Sequence, residues 1–560
     1  MAAFILENGR LWSDPQAIAL RPKKRSRKWA PKKRTGCLTC SCVVASRECI
    51  GVGYAATVLP DAADQESGSR GLVPQRRIGL VHQPDVTVSP PGVKTSEQEM
   101  MQFRFLCQVA ASSMAGVFDQ KFCSRDMLQA TSFHPIVWHA SCALAAMYQR
   151  ESLLAGSSDI HGRAKTAAQR QDLRSFALEQ YNQSIAGVLG IMESVELSSL
   201  DLEVLLTTTL LFTAISSLQG DMPAAILHII NGQRILQRWK RGIADAPMKM
   251  TGGKNRSSTG LLTPSSVEAV MGRLVSQSST IRQIPWSEEY YKSLEAPVIS
   301  QDAFCSPEDA YYEFEPLSKA YFELGENNKF IMDPAKRQPP FQVRMAYLAA
   351  LGEWTMKFDT MQRRPGIMDS PTNREAVLVL QARQIGMEIE VQRDPAGQET
   401  TWDEFNVQFA RIVALGEQLR DGLHQGAGRV FSFSSSMMDV LFVTAIRCRE
   451  HGVRHRAMEL LRRQNAREGL CNSRLAFAIA AGWAEIEEAP GTAKRRIAED
   501  GIVVEGGEEC ACEAERFICG EHRVTAVGGE FRTDDVGTMR YWTRRALELG
   551  LPGEMRELAW

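Results

Sequence analysis

The chain has 560 residues, 44% of them hydrophobic and 23% charged, with a formal net charge of −1. That length is too great for one ordinary domain and predicts two to four, and the composition excludes a wholly disordered or fibrous chain. The near-zero charge hides an asymmetry: nine of the 65 Lys and Arg residues lie in one short run, and the remainder carries about −10 against its 66 Asp and Glu.

Residues 1–20 carry little signal and read as an N-terminal tail. Met1 to Pro15 lacks a basic region followed by a long apolar stretch, so no signal peptide is expected. The basic run follows, with Arg21, Lys23, Lys24, Arg25, Arg27, Lys28, Lys32, Lys33 and Arg34 and no acidic residue. Such a run neutralises phosphates without reading bases, or addresses a protein to the nucleus. A cationic arm on an acidic body predicts DNA contact at the N-terminus only. The chain then reads Thr35-Gly36-Cys37-Leu38-Thr39-Cys40-Ser41-Cys42 and reaches Cys49. Two residues between Cys37 and Cys40 let both thiolates face one tetrahedral ion. Cys42 and Cys49 complete four candidate zinc ligands. The thirteen cysteines are scattered and odd in number, which reads as reduced thiols of a nuclear or cytosolic protein.

Residues 55–95 read as a flexible linker, interrupted by Pro60, Pro74, Pro84, Pro90 and Pro91. At Ser96 the character changes. Ser96 with Glu99 three positions on is a capping box ahead of the apolar positions Phe103, Leu106, Val109 and Ala110. Helical patterns are then predicted over roughly 97–115, 135–151, 173–191, 199–218 and 221–239. Val137, Ala140, Leu144 and Tyr148 share one face of the second. Val204 to Leu218 is the most apolar window; it is shorter than the roughly 20 residues that span a bilayer and reads as a buried core helix. Residues 241–262, with Gly252-Gly253 and Ser257-Ser258, read as a loop. Helical patterns resume near 308–325, 341–361, 371–390, 401–421, 436–451, 454–466 and 473–488. A further loop is expected within 490–530, and strand alternation is expected only over Arg523 to Val527. The fold class is therefore all-α, with the helical body running over 96–560, and no membrane segment is expected.

Around the cysteines, Thr35, Gly36, Leu38, Thr39 and Glu48 resemble the fungal six-cysteine zinc binuclear cluster family of transcription factors. Lys33 to Cys40 is similar to that motif's opening, and Cys42 to Cys49 followed by Ile50-Gly51-Val52-Gly53-Tyr54 to its close. The family carries its third and fourth cysteines and its DNA-contacting Lys and Arg residues between the second and fifth cysteines. Here Ser41 stands there alone, so residues 21–54 look like a basic arm with a degenerate cluster. Without the bridging fourth cysteine two zinc ions cannot be held. The alternatives are one zinc on Cys37, Cys40, Cys42 and Cys49, or a residual segment without ordered metal.

The body carries the resemblance further. Leu218-Gln219-Gly220-Asp221, with Ala224, Ala225, His228 and Gly232, resembles a motif of the family's helical regulatory domain. So do Arg447-Cys448-Arg449, Arg454, Arg456, Ala457, Leu460-Leu461 and Arg467-Glu468-Gly469. Small residues on one face imply close helix packing, with His228 as a packed, hydrogen-bonded histidine. The resemblance implies a non-enzymatic regulator of metabolic genes, including those of secondary-metabolite clusters. Its implied partners are DNA, the transcription machinery and a second copy or a related factor. The competing reading is an all-α interaction or scaffold protein that has lost specific DNA binding and acts through dimerisation.

Three other groups look like chemistry. Gly51-Val52-Gly53-Tyr54-Ala55-Ala56 matches a loose dinucleotide fingerprint, but Pro60 and a polar linker follow where a helix is required. Cys510, Cys512, Cys519 and His522 are metal-like, among Glu508, Glu509 and Glu513 that read as an acidic loop. His134 and His139 stand beside apolar residues and read as packing histidines. The sequence holds no nucleophile elbow, zincin helix or Walker loop.

Overall fold

The computed structural model describes residues 6–7, 10–11, 89–156, 160–194, 196–244, 260–282, 296–328, 341–393, 399–422, 430–488, 518–531 and 536–560. The basic run, all four N-terminal cysteines, the fingerprint-like glycines and the linker up to residue 88 lie outside them. At the N-terminus β1 (Leu6–Glu7) pairs with β2 (Arg10–Leu11). The rest is all-α with small sheets. Its helices surround two hydrophobic cores.

The first core is built by α1 (Glu97–Phe105), α2 (Ala111–Ala115), α3 (Met127–Phe133), α4 (Pro135–Gly156), α5 (Ile160–Met192), α6 (Ser199–Leu218), α7 (Met222–Ala244) and α8 (Pro264–Arg282). The capping box at Ser96 forms as expected: the Glu99 carboxylate accepts from the Ser96 amide at 2.7 Å, and Ser96 Oγ accepts from the Glu99 amide at 3.2 Å. Ser198 and Asp201 repeat the device ahead of α6. From Leu202 to Leu218 every residue of α6 is buried. This helix is long and apolar enough to cross a membrane, yet 83% of its apolar window is enclosed by protein. Three of its threonines solve their own polarity, since Thr207, Thr209 and Thr213 donate to carbonyls one turn back, while the buried Thr208 hydroxyl is left unpartnered. Along α4 the expected face of Val137, Ala140, Leu144 and Tyr148 is buried, and so are Trp138, Cys142, Ala145 and Met147. A helix buried on every side is a central one, and α4 packs against α1, α3, α5 and α6.

The second core is built by α9 (Pro307–Asn328), α10 (Phe341–Gln362), α11 (Pro371–Gln392), α12 (Asn406–Gly422), α13 (Met438–Arg447), α14 (His451–Gln464) and α15 (Ser473–Glu488). Aromatic packing centres on Trp354, which meets Phe314 and Phe358 and donates its indole N–H to the Ala310 carbonyl at 2.9 Å. Phe118, from the chain after α2, stacks on Tyr311 of α9 at 4.1 Å and ties one core to the other.

Three features depart from the sequence reading. The sequence reading placed no helix after the expected loop at 241–262, much of which lies outside the described residues, yet α8 follows it. Its first turn is capped by Asp126, whose carboxylate accepts from the Thr263 amide and the Ser266 hydroxyl. That cap comes from a residue distant in sequence, so no local signal marks it. Helix α5 begins well ahead of residue 173. Among the described residues the C-terminus is mainly sheet, with only a 3₁₀ turn at Gly520–His522 and the short α16 (Arg544–Glu548): β6 (Val524–Phe531), β7 (Val536–Thr543) and β8 (Glu554–Ala559) form an antiparallel meander. Its Val524, Val527, Met539 and Tyr541 enter the second core against α15. The alternation seen over Arg523 to Val527 is its first edge.

Candidate functional site

Gln219 to Asp221 forms the tight corner between α6 and α7. Gly220 has φ +73°, a conformation open to glycine at little cost. It closes α6 through bonds from the Gly220 amide to the Ser217 carbonyl and from the Asp221 amide to the Ser216 carbonyl. Asp221 then caps α7 by accepting from the Ala224 amide at 3.0 Å. Gly232 is where α7 meets α6 and α8: a Cβ there would stand 2.5 Å from the Met271 methyl and 2.9 Å from Thr209 Cγ2. His228 is buried, with Nε2 3.2 Å from the Tyr181 hydroxyl and its ring against Phe212. Burial depresses its pKa to about 4, so it is neutral near pH 7 and packs as expected. His139 is also buried, 2.7 Å from Gln180 Oε1 and 3.5 Å from Glu99. His134 Nδ1 accepts from the Ile136 amide. Both are held below the ordinary histidine pKa by burial first.

The second group of resembling residues joins this corner. Between the cores, β3 (Phe431–Ser432) pairs in parallel with β4 (Arg467–Glu468), which pairs antiparallel with β5 (Cys471–Asn472). Arg467 Nη1 donates to the Ser217 carbonyl at 2.6 Å, and Ser217 Oγ donates to the Gly469 carbonyl at 2.5 Å. Gln277 of α8 donates to the Glu468 carbonyl and accepts from the Leu470 amide. Gly469 has φ +58°, and a Cβ would stand 2.3 Å from Gln277 Oε1. Two segments about 250 residues apart therefore close on each other at one joint.

Beside the joint is a cavity of about 90 Å³. Its charged lining is Arg273, Lys319 and Arg383 against Glu315, Asp439 and Glu468. Arg273 Nη2 donates to Asp119 Oδ2 at 2.7 Å and its Nε to the Phe433 carbonyl at 2.7 Å. Arg383 bonds Glu315 closely. Asp119 is pushed up to about 6 because burial outweighs the guanidinium beside it. Desolvation pushes the Cys471 thiol up to about 12, so it is not an activated nucleophile. The cavity suits waters rather than an organic cofactor. A groove of about 410 Å³ between α10, α11 and α12 is larger and polar, walled by Asp359, Gln381, Gln384, Glu388 and Arg411.

Arg447, Arg449 and Arg454 are buried structural charges. Glu487 has a fully buried carboxylate that accepts from Arg449 Nη2 at 2.9 Å, Arg454 Nη2 at 2.5 Å, Trp483 Nε1 at 3.1 Å and the Val524 amide at 2.8 Å. Burial pushes this carboxyl up, but the two guanidiniums outweigh it and hold it at about 2. Arg447 bonds Glu399 at 2.9 Å, and Arg523 bonds Asp403. Arg456, by contrast, is half exposed on Glu417. The network sews α14, α15 and the terminal sheet together, and sequence reasoning missed its acidic half.

Of the expected metal groups, Cys37, Cys40, Cys42 and Cys49 lie outside the described residues, as do Cys510 and Cys512. Cys519 Sγ is 3.1 Å from His522 Nδ1. Comparison with protein-family models, curated proteins and solved structures finds no match.

Proposed function

We propose that the chain is a transcription regulator of the fungal zinc-cluster type, acting on metabolic genes, in which a basic arm contacts DNA and the helical body is the regulatory domain. One observation supports this most: Ser217, the residue just ahead of the first segment that carries the resemblance (from Leu218), bonds Arg467 and Gly469 at the end of the second (from Arg447). Residues brought together across so long a separation serve one unit, as the reading requires. The asymmetric charge adds support, because nine basic residues without an acidic neighbour attract a polyanion to one end of an otherwise acidic protein.

On this reading DNA binding by the chain is phosphate-driven and poor in base information, because the stretch between Cys40 and Cys42 is a single serine. A gel-shift titration at two salt concentrations, with and without chelator, tests it. Affinity in the roughly 10⁻⁴–10⁻⁶ M range, falling steeply with salt and indifferent to chelator, is expected. No retardation of DNA at low salt overturns the DNA-contact reading and leaves the scaffold reading. Tight, chelator-sensitive binding to one short site means instead that Cys37, Cys40, Cys42 and Cys49 hold a working metal.

A further inference from the structure

We propose that His451, His455 and Glu488 form a surface binding site for a divalent transition-metal ion of the zinc type, clamping the start of α14 to the end of α15. The site is separate from the cysteine segment and does not rest on the DNA-binding reading. His451 and His455 are four residues apart in the first turns of α14, which sets both imidazoles on one face. Their ring centroids are 4.1 Å apart. Glu488, at the end of α15, reaches across to both: Oε2 is 2.9 Å from His455 Nε2 and 3.4 Å from His451 Nδ1. One ligand atom from each of the three lies within 4.8 Å of the others.

These separations, which include a 2.9 Å hydrogen bond between His455 and Glu488, are close to those an ion would require. Nitrogen and oxygen ligands sit about 2.0–2.2 Å from zinc, so neighbouring ligand atoms of a tetrahedral site are roughly 3.3 Å apart. Two edges of that triangle are within a few tenths of an ångström of this value, and only the edge between the imidazoles has to close. The carboxylate is also oriented from behind. Its other oxygen, Oε1, accepts from Arg454 Nη1 at 3.2 Å. Arg454 is itself fully buried and pinned by Glu487 and the Cys448 carbonyl. A carboxylate ligand fixed by an outer hydrogen bond is the arrangement that tunes metal sites. The two imidazoles are 54% and 43% exposed, so an ion enters without opening the fold. Two imidazoles and one carboxylate suit zinc and its neighbours rather than magnesium or calcium, and the fourth position stays with water.

The test uses the full chain, Zn²⁺ competed against a chromophoric chelator, and Co²⁺ as a spectroscopic probe. Wild type is expected to take up one more equivalent of Zn²⁺ than the double variant His451→Asn/His455→Asn. Circular dichroism of that variant should match wild type, since both rings are half in solvent. Co²⁺ at the site should give ligand-field bands without sulfur-to-cobalt charge transfer. They should persist when Cys37, Cys40, Cys42 and Cys49 are all changed to Ser and vanish in the histidine variant. Glu488→Gln should weaken that equivalent. Equal zinc uptake by wild type and the histidine variant overturns the proposal, as does a cobalt spectrum lost with the four cysteines and unaffected by the histidines.

Discussion

Replacing Glu487 by Gln isolates the buried charge network from everything around it. The variant keeps the shape of the side chain and one carbonyl acceptor, so the bonds from Trp483 and the Val524 amide can survive. It removes the negative charge that lies between Arg449 and Arg454, whose side chains are 4% and 0% exposed. Removing one partner of a buried pair typically costs 3–5 kcal/mol, because the charge left behind has no solvent. Two guanidiniums are stranded here, but neither is left alone: Arg449 retains Glu399 at 3.4 Å, and Arg454 retains Glu488 at 3.2 Å and the Cys448 carbonyl. The cost is therefore set near the lower end, about 3–4 kcal/mol. For a body this large each kcal/mol moves the melting temperature by at most about 2 °C, so the variant should melt up to about 8 °C below wild type. Glu417→Gln is the matched control. It breaks an ion pair on Arg456 of the same helix, half exposed, and should cost no more than about 0.5 kcal/mol. Thermal unfolding followed by circular dichroism reads both. Equal melting of Glu487→Gln and Glu417→Gln refutes the claim that this network holds α14, α15 and the terminal sheet together.

Acid should weaken the first core through His228: its folded pKa of about 4 lies below the ordinary value, so only the unfolded chain takes the proton as pH falls from about 6.5 to 4, and stability drops across that window. His228→Phe should flatten this part of the stability–pH curve, measured by urea unfolding, while His139, shifted the same way, keeps some slope; an unchanged curve refutes the assignment. Gly469→Ala should destabilise by about 1–3 kcal/mol in urea melts, since the new methyl meets Gln277 and the backbone lies at positive φ; a neutral result means the joint yields freely. Neutralising Lys23, Lys24, Arg25, Lys32, Lys33 and Arg34 together should leave a reporter fused to residues 21–34 in the cytoplasm, and unchanged nuclear accumulation excludes the run as the address.

What was legible in the sequence was whatever a residue settles with near neighbours. Ser96 and Glu99 are three apart and announce α1; the uncharged stretch from Val204 announces a core helix; the patterns over 199–218 and 221–239 leave their break where Gly220 turns the chain. What was not legible depends on partners distant in the chain. Helix α8 begins in a region rich in Gly and Ser, and the carboxylate that caps it belongs to Asp126, 137 positions earlier. In the terminal sheet β7 also alternates, with Met539 and Tyr541 buried and Thr538 and Arg540 between and beside them less so, but the sequence reading passed over it. Glu487 and Glu488 look like one acidic pair at a helix end. The fold separates them: Glu487 turns inward to two arginines, while Glu488 is 19% exposed and faces His451 and His455. The spacing of those histidines is visible in the sequence, but a pair at one helical turn is common and names no third ligand. The carboxylate 33 positions away becomes a neighbour only because α14 and α15 pack side by side. The chemistry of that corner therefore follows from packing, and disrupting the Glu487 network should loosen the histidine cluster as well.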